Sequence, residues 1–460
     1  MIAVGFIVLL GLAIGAASLM GVAPVTMDGS WAALGVILVA FIAFFAGGIY
    51  IGAALGLLAL LAGFTLSDRP FWNYIGQMIW GPSTNFVLVA VPLFLLMGEI
   101  MLRAGLSERL YRGLSVWVRR LPGGLLHTNI LSCGLFSAVA GSSVATAATM
   151  GSVALPYFEK STYPPRLVLG TLAAGGALGN LIPPGLSFIV YGLITETSVG
   201  SLYLAAVGPS ILVVVMFSLV VAWYGARRGL GRDATPHEKG ERLRSLFDLL
   251  PTLALIALVL GTIYTGFATP TESAALGVAG AVVLALFERR MSLRLLVDSM
   301  MSTARTTSMI GLILFGAYFL NYMLSSLGIS ETLATFMSEL PLPGWAVMLL
   351  IVGFYLAMGT FMEGTSMVIT TVPLLFPVVT ALGYDPVWFG VVITMLVEIA
   401  MISPPDGTVL YVLQGMRRQP GPITDVFAGV MPFIGAYILA VLILMVLPEI
   451  ALWLPSLLGR

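Results

Sequence analysis

Apolar segments about as long as a membrane span recur from one end of the 460-residue chain to the other, with short polar connections between them. A helix needs ~20 apolar residues to cross a bilayer. The pattern therefore predicts an all-α polytopic membrane protein with no soluble domain left over. The first segment, Ile2 to Val22, lacks a basic n-region, so we interpret it as a retained helix and not as a signal peptide.

Two of the apolar segments are interrupted by adjacent prolines near their centres. The segment 166–192 contains Pro183-Pro184-Gly185, and the segment 387–414 contains Pro404-Pro405-Asp406-Gly407. Proline removes a backbone donor and clashes with the preceding turn, so we expect both helices to be broken there. An unpaired carbonyl in hydrocarbon is costly, so each break is expected to face protein, water or a ligand.

The chain contains two related halves. A shift of 221 residues superposes five prolines of the first half on prolines of the second half, and no gap is needed between them. Just upstream, Gly105-Leu-Ser-Glu108 matches Gly328-Ile-Ser-Glu331 at a shift of 223. The superposed prolines are Pro122, Pro156, Pro165, Pro183 and Pro184, which fall on Pro343, Pro377, Pro386, Pro404 and Pro405.

The basic residues indicate how the two halves are oriented. The segment 103–120 holds five arginines, whereas its counterpart at 325–343 holds no Lys or Arg. Basic residues favour the cytoplasmic side of a membrane. We therefore place the segment 103–120 on the cytoplasmic side, let the following spans alternate, and let each re-entrant hairpin return to the side from which it entered. Only Arg69 and Arg460 of the 21 basic residues then lie on the outer side. The sequence therefore predicts two inverted-topology repeats with re-entrant helical hairpins and broken helices.

The resulting map divides the chain into five regions, and it leaves open whether 31–65 is one long helix or two. They are an extra N-terminal helix (1–30), a first repeat (31–226), a cytoplasmic loop (227–248), a second repeat (249–448) and a C-terminal tail (449–460). The first repeat has scaffold spans, an arm at 103–121, a hairpin at 125–158 and a broken span at 166–192. The second has an arm at 327–343, a hairpin at 345–378 and a broken span at 387–414.

Composition narrows the function. The chain is 59% hydrophobic and 9% charged, against roughly 25% charged in soluble domains, and its net charge of zero gives no reason to expect a nucleic-acid partner. Cys133 is the only cysteine, and His127 and His237 are the only histidines, so intrachain disulfides are excluded and a Cys/His metal site is not expected. No phosphate-binding loop of the P-loop type and no Ser/Lys constellation occurs, so we expect neither ATP hydrolysis nor an enzyme.

Polar residues cluster at the expected tips of the two hairpins. Gly141–Thr149 contains four hydroxyl residues among small ones, and its equivalent in the second half is Glu363-Gly-Thr-Ser366. Small residues also favour tight helix packing in membranes, which is the alternative interpretation. An ionisable group inside a membrane is expensive and indicates a function, so we take Glu363, Glu398 and Asp406 as candidates for substrate binding or coupling. Thr146, a hydroxyl residue of the first tip, is a further candidate. For the carboxylates the alternative is a salt bridge or a water-exposed position.

Two hairpin tips and two broken spans that meet near the midplane have the architecture of an ion-coupled secondary transporter. Free carbonyl and hydroxyl oxygens replace the water around a small hard cation, and the N-termini of half-helices face an anion. The sequence thus predicts sites for a cation and for an anionic substrate.

Three segments resemble the large membrane subunit (M subunit, DctM-type) of the tripartite ATP-independent periplasmic (TRAP) transporters. They are GSSVATAATMGSVALP (141–156), LAAGGALGNLIPPGLSFIVYG (172–192) and VEIAMISPPDG (397–407), and the resemblance runs from about residue 31 to 448. It implies sodium-coupled symport of an organic acid, such as a C4-dicarboxylate, across the bacterial inner membrane. It also implies an elevator-type ion transporter fold, delivery by a periplasmic substrate-binding protein, a small four-helix membrane subunit as partner, and no cofactor besides Na⁺ as the coupling ion.

The resemblance also implies two sodium sites. The first uses Ser142 and Ser143 with backbone oxygens of Gly179, Ile182 and Pro184, and the second uses Gly364 and Thr365 with Ala400, Ser403 and Pro405. Asp406 stands where the family commonly has Val, so it could tune the cation site, take up a proton or alter substrate preference.

Two other functions remain open at this stage. A stand-alone sodium/carboxylate carrier of related architecture would transport without a soluble partner. A channel or an intramembrane enzyme is the different-class alternative, and inverted broken helices suit alternating access better than either. The sequence does not name the substrate.

Overall fold

The computed structural model describes residues 29–67, 71–159, 161–230, 240–329, 331–332, 335–336, 342–359, 362–405, 407–417 and 420–458. Across these residues the chain forms nineteen α-helices and no β-strand. The predicted all-α class is therefore confirmed for the part that the structure describes. The expected helix at 1–30 lies almost entirely outside the described residues, as do eight of the 17 residues of the arm at 327–343.

The helices follow one another with short connections. The first seven are α1 (Gly29–Ala46), α2 (Ile51–Thr65), α3 (Trp72–Ser83), α4 (Ala90–Arg103), α5 (Leu106–Val118), α6 (Leu125–Ala140) and α7 (Ser143–Phe158). The next six are α8 (Pro165–Gly176), α9 (Leu186–Thr195), α10 (Val199–Arg228), α11 (Glu241–Tyr264), α12 (Pro270–Phe287) and α13 (Leu293–Ser326). The last six are α14 (Gly344–Met358), α15 (Gly364–Ala381), α16 (Pro386–Met401), α17 (Thr408–Met416), α18 (Thr424–Val446) and α19 (Glu449–Leu457).

Seven helical segments of the described chain are long and apolar enough to cross a membrane. They are Phe86–Arg103, Val199–Arg228, Glu241–Tyr264, Pro270–Phe287, Leu293–Ser326, Gly364–Ala381 and Thr424–Val446. Other apolar helices are shorter. With a rise of about 1.5 Å per residue, the 16 residues of α6 span only about 24 Å, which is less than the ~30 Å of a hydrocarbon core.

The region 31–65, which the sequence leaves open as one helix or two, is two helices, α1 and α2, separated at Gly47–Tyr50. The map drawn from the sequence differs from the structure in three places. The segment Trp72–Ser83 forms a helix that the map lacks, because Asn73, Gln77 and Pro82 weaken its hydrophobic pattern. The hydrophobic pattern predicts a span at 306–326, with the basic segment before it as a loop, but α13 already begins at Leu293. The C-terminal tail contains α19.

The chain divides into two compact units. The smaller unit contains residues up to Ser83 together with Gly311–Ala357 and Ile369–Tyr384. Within it α1 packs on α2, and the aromatic rings of Phe71 and Phe319 lie 5.9 Å apart. The larger unit contains Thr84–Ile310, Met358–Val368 and the chain from Asp385 onward.

The larger unit holds both broken spans and the tips of both hairpins. Within it α8 packs against α6, α7 and α18, and α17 packs against α7. Both broken spans start with proline at the first helical position, Pro165 in α8 and Pro386 in α16, where the missing N–H is not needed. Asp385 caps α16 by accepting hydrogen bonds from the backbone N–H groups of Val387 and Trp388 at 2.8 and 3.0 Å.

The arginines of α5 tie this helix to the ends of α11 and α12. Arg109 pairs with Asp248 and Glu288, and Arg112 shares Asp248 at 3.0 Å. The guanidinium of Arg119 binds the Glu241 carboxylate at 2.9 Å. The basic segment 103–120, from which the orientation of the two halves was inferred, thus contains a helix that ion pairs hold within the larger unit.

Candidate functional site

The first hairpin turns at two small residues between α6 and α7. Gly141 has a φ of 60°, the left-handed conformation that glycine adopts without strain, and its N–H donates to the Ser137 carbonyl at 2.9 Å. Ser142 follows in an extended conformation, and α7 begins at Ser143. The side chain of Ser142 makes no capping hydrogen bond to α7. Its hydroxyl is therefore not committed to holding the helix end.

The first broken span unwinds between Gly176 and Leu186, at the place that the adjacent prolines predict. The Pro183–Pro184 peptide bond is cis. The backbone N–H of Leu186 donates to the Gly141 carbonyl at 3.2 Å, which joins the start of α9 directly to the hairpin tip. A methyl group on Gly179 would lie 2.2 Å from the Ser143 Cα atom. The tip and the break are therefore in backbone contact.

The structure brings the proposed first sodium site together around this contact. Ser142 and Ser143 lie against Gly179, and the Pro184 carbonyl oxygen faces Gly141. The Ile182 side chain packs toward Gly134 of α6. Among the described residues, the carbonyl oxygens of Gly179, Ile182 and Pro184 accept no hydrogen bond. These oxygens are the kind of ligand that a hard cation takes from unwound backbone.

A buried polar triad links this tip to the second half of the chain. The Ser143 hydroxyl donates to Oε1 of Glu398 at 2.6 Å, and the backbone N–H of Asn180 donates to the same oxygen at 3.0 Å. The Asn180 side-chain amide donates to the Ser143 hydroxyl at 2.9 Å. Glu398 is 0% exposed. The three side chains come from α7, the first break and α16, so the triad crosses 255 residues of sequence.

Several oxygens around the triad have no protein partner. The hydroxyls of Thr146, Thr149 and Ser187 and the second carboxylate oxygen of Glu398 are buried without a hydrogen bond among the described residues. Thr146 lies one turn after Ser143 on α7, and Ser187 is the second residue of α9. Buried polar groups are usually hydrogen-bonded, so these oxygens are free to bind water, an ion or a substrate.

The second hairpin tip uses its acidic residue differently. Glu363 precedes α15, and its carboxylate accepts from the backbone N–H of Ser366 at 3.1 Å and from the Ser366 hydroxyl at 3.2 Å. This is an N-terminal cap of α15, which a negative charge also stabilises through the helix dipole. Glu363 is half-buried. The carboxylate is therefore engaged in capping its own helix.

The second broken span ends α16 at Met401 and resumes as α17 at Thr408. The Pro404–Pro405 bond is cis. The Ala400 carbonyl accepts from the Ser403 N–H at 3.1 Å, and the Pro405 carbonyl accepts from the Tyr411 hydroxyl at 2.8 Å. The Ser403 hydroxyl donates to the Ile399 carbonyl at 2.7 Å. Asp406 lies outside the described residues.

The residues expected to form the second sodium site are connected through α16. Gly364 lies against the side chains of Val397 and Met401, on the last turns of that helix. Thr365 is buried next to it. The carbonyl oxygens of Ala400 and Pro405 already accept hydrogen bonds, whereas those of Gly179, Ile182 and Pro184 in the first break accept none among the described residues. The first site thus has more free oxygens than the second.

Sequence reasoning missed Asn180 and the location of Glu398. From the sequence, Glu398 is expected near the second break because it lies six residues before Pro404. Its predicted role is substrate binding or coupling, and the alternative is a salt bridge or a water-exposed position. The structure shows it buried against the first hairpin tip, with no ion-pair partner among the described residues. One feature of the sequence could have indicated this contact. Asn180 is a polar residue within an apolar run, three residues before Pro183, and a buried amide needs a hydrogen-bond partner.

The architecture is similar to that of a solved transporter. The crystal structure of the Alcanivorax borkumensis YdaH transporter matches with a TM-score of 0.61 at 18% identity, over 91% of this chain and 98% of that chain. The spanning helices and the two unwound spans define the class of the present chain by its fold, which is that of a polytopic helical membrane protein.

The sequence comparisons identify the family. The family model described as "Tripartite ATP-independent periplasmic transporter, DctM component" matches residues 38–450. The C4-dicarboxylate TRAP transporter large permease protein DctM of Rhodobacter capsulatus is 31% identical, over 90% of this chain and 96% of the relative. The corresponding Pseudomonas aeruginosa protein is 33% identical over 82% and 88%. The sialic acid TRAP transporter large permease protein SiaM of Vibrio cholerae is 30% identical over 86% and 92%. The chain belongs to the DctM family of TRAP transporter large permease subunits, and it is a transporter subunit rather than an enzyme.

Proposed function

We propose that this permease subunit couples the uptake of an organic acid to sodium entry across the bacterial inner membrane. A soluble periplasmic binding protein delivers the acid, and a small four-helix membrane subunit completes the translocator. The observation that carries the proposal is the cluster of buried oxygens where the first hairpin tip meets the first break. This cluster has the chemistry of a cation site on unwound backbone.

The residues present fit a sodium ion. Three carbonyl oxygens, from Gly179, Ile182 and Pro184, have no hydrogen-bond donor among the described residues. The Ser142 hydroxyl makes no cap to α7, and Ser143 lies beside it. When bound, sodium supplies the driving force of its gradient. The second set, at Gly364, Thr365, Ala400, Ser403 and Pro405, is proposed as a further sodium site.

The same region suits a carboxylate substrate. α7 begins at Ser143 and α9 begins at Leu186, and the hydrogen bond from Leu186 to Gly141 joins these two helix starts. Helix N-termini carry free N–H groups and a partial positive charge, both of which favour an anion. The partnerless hydroxyls of Thr146 and Ser187 lie in the first turn of each helix. They are suitable donors to a carboxylate oxygen.

The names of the relatives support an organic acid without fixing which one, since one relative is named for isethionate, a sulfonate. Two are named for C4-dicarboxylates and one for sialic acid, and these substrates share a carboxylate group. We therefore propose a C4-dicarboxylate or a similar carboxylate. The two halves are proposed to be inverted-topology repeats whose hairpins and broken helices move as one body in an elevator mechanism.

Alanine at the hairpin tip tests the sodium site. Ser142→Ala and Ser143→Ala each remove an oxygen at a site with few spare ones, so uptake should require a higher sodium concentration. Ser137→Ala is the matched control, because Ser137 is a buried serine of α6 whose hydroxyl bonds only the Cys133 carbonyl within its own helix. Unchanged sodium dependence in both tip variants, at normal expression, would argue against a sodium site at this tip.

The partner requirement separates this function from a stand-alone sodium/carboxylate carrier. Vesicles that contain the membrane subunits should accumulate substrate only when the binding protein is added. Genes for a secreted binding protein and a small four-helix membrane protein should also lie beside this one. Accumulation without the binding protein would favour the stand-alone carrier, and flux without saturation or sodium dependence would favour a channel.

A further inference from the structure

Glu398 is the one carboxylate of the described chain that is fully buried. Half-buried acidic groups of the larger unit have partners of other kinds: Asp248 pairs with Arg109 and Arg112, Asp425 pairs with Arg417 at 3.1 Å, and Glu363 caps α15. No Lys, Arg or His of the described residues lies within ion-pair distance of Glu398. The positive charge that balances Glu398 is therefore not supplied by a described side chain.

The hydrogen bonds of Glu398 leave one side of the carboxylate open. Oε1 accepts both donors, the Ser143 hydroxyl and the Asn180 N–H, and these two bonds fix the orientation of the group. Oε2 is buried and has no hydrogen-bond partner among the described residues. An isolated buried carboxylate is expensive, since burial removes its hydration without replacing it. A cation bound near Glu398 would offset that cost.

The two donors of Glu398 connect it to candidate ligands of the first sodium site. Ser143 donates its proton to Glu398 and accepts one from the Asn180 amide, so its second lone pair is free to face a cation. The Asn180 N–H that donates to Glu398 shares a trans peptide unit with the Gly179 carbonyl, so this carbonyl points to the side opposite Glu398. The Gly179 carbonyl accepts no hydrogen bond among the described residues, and Gly179 lies against the Ser143 backbone. Glu398 therefore fixes the direction of both oxygens.

We propose that Glu398 is a positioning residue of the first sodium site: its carboxylate holds the Ser143 hydroxyl and the Gly179–Asn180 peptide in place, so that a side chain from the second half of the chain completes a site built on the first half. This inference rests on the proposed sodium coupling and adds to it a residue that the serine and backbone set lacks. The carboxylate balances the charge of the ion and orients the Ser143 hydroxyl toward it.

One consequence is a physical link between the two sodium sites. Glu398 lies on α16 only two residues before Ala400 and five before Ser403, which belong to the second proposed site. An ion at the first tip that draws Glu398 toward it therefore acts on the helix that carries the second set of ligands. Binding at the two sites is expected to be coupled through α16.

Sodium-dependent thermal stability tests the proposal independently of transport. Purified full-length protein in detergent is unfolded at increasing sodium concentrations, with choline used to hold the ionic strength constant. A ligand that binds the folded state raises the Tm as its concentration rises. Glu398→Gln keeps the size of the side chain and the acceptor for Ser143 but removes the charge. We expect the sodium concentration that gives half of the Tm increase to rise by about tenfold or more, since even outer-shell changes weaken metal sites by about 10–100-fold.

Glu99→Gln is the matched control. Glu99 lies in the same unit and also accepts a hydrogen bond from a serine hydroxyl, that of Ser302 at 2.7 Å, but it pairs with Arg103. This variant should keep the wild-type sodium dependence. If Glu398→Gln does not fold, the sodium midpoint of the Tm is measured for Glu398→Asp instead. This variant keeps the charge but has a shorter side chain, so it should also need more sodium.

The outcomes separate this inference from the proposed function. A wild-type sodium midpoint in Glu398→Gln, or in Glu398→Asp where only that variant folds, would overturn the role of Glu398 and leave sodium coupling intact. An equal rise in Glu99→Gln would also overturn it, because the effect would then not be specific to the site. The absence of any sodium effect on the Tm and uptake of the wild type would instead contradict the proposed function and this inference with it.

Discussion

Gly179 makes the closest backbone contact between the first break and the first hairpin tip. A Cβ atom there would lie 2.2 Å from the Ser143 Cα atom and 2.3 Å from its nitrogen, so Gly179→Ala must push the tip away from the break. Overpacking of this kind costs about 1–3 kcal/mol. We expect a lower Tm and a weaker sodium activation of uptake, because the oxygens around Ser143 would separate.

Gly415→Ala provides the comparison for this variant, since a Cβ atom at Gly415 of α17 has no neighbour within 4 Å. It should leave both the Tm and the sodium activation near the wild-type values. A normal sodium response in Gly179→Ala would show that the contact between tip and break does not shape the cation site.

Asp406 is the acidic residue that follows the two prolines of the second break, and three roles are proposed for it. As a cation-tuning group it predicts that Asp406→Asn weakens sodium activation and leaves the pH profile nearly unchanged. As a proton carrier it predicts a flatter pH profile. As a cap of the half-helix that follows, it stabilises that helix by ~0.3–1 kcal/mol and predicts normal coupling. Sodium and pH dependence measured in vesicles separate the three, and normal values for both would reject a coupling role.

The sequence indicated the residue types of the site but not which of them meet. Ser142, Ser143 and the proline breaks could be read from the chain, because small hydroxyl residues and Pro-Pro-Gly have local structural effects. The contact of Glu398 with Ser143 joins α16 to α7, and no local pattern encodes it. Only the packing of the two halves determines that this carboxylate completes the first tip and not the second.

At the level of elements, the first broken span is held by α18 through a contact without side chains. A Cβ atom at Gly170 of α8 would lie 2.1 Å from the Gly429 carbonyl oxygen, and one at Gly429 would lie 2.0 Å from the Arg166 carbonyl oxygen. Small residues allow such close helix packing in membranes. The ion pair of Arg166 with Asp425, at 2.9 Å, lies at the same helix ends.

Gly429→Ala should therefore separate α8 from α18. We expect a loss of about 1–3 kcal/mol in stability, measured as a lower Tm in detergent, and slower uptake because α8 leads into the first break. Gly435→Ala on the same helix is the control: its Cβ atom would meet nothing within 4 Å, and Ala favours a helix by roughly 0.5–1 kcal/mol over Gly. Equal Tm values for the two variants would contradict the close packing of α8 and α18.

The elements that the sequence predicted well were those with a strong hydrophobic or proline signal. Long apolar runs such as α18 and the interruptions after Gly176 and Met401 fall into this group. α3 and α19 were missed, because each contains a proline, Pro82 or Pro455, and polar residues that obscure the apolar pattern. The basic start of α13 was read as a loop, although arginine and leucine are both good helix formers.

For the whole molecule, the proposed inverted arrangement of the two halves predicts on which side of the membrane matched positions are exposed. Leu121 and Leu342 superpose at the shift of 221, each directly precedes Pro-Gly, and their exposed fractions are 46% and 41%. Single cysteines at these positions, in a Cys133→Ala background, should react with an impermeant thiol reagent from opposite sides of the membrane. Labelling of both from the same face would contradict the inverted topology.

The central claim is that sodium drives uptake of a carboxylate through this subunit together with its two partners. The most direct measurement uses proteoliposomes that contain the large and small membrane subunits, the binding protein on the outside, and the radiolabelled acid that the binding protein carries when purified. An inward sodium gradient should drive accumulation above equilibrium that saturates with sodium, needs the binding protein, and stops when choline replaces sodium. Equal accumulation in choline would contradict the account.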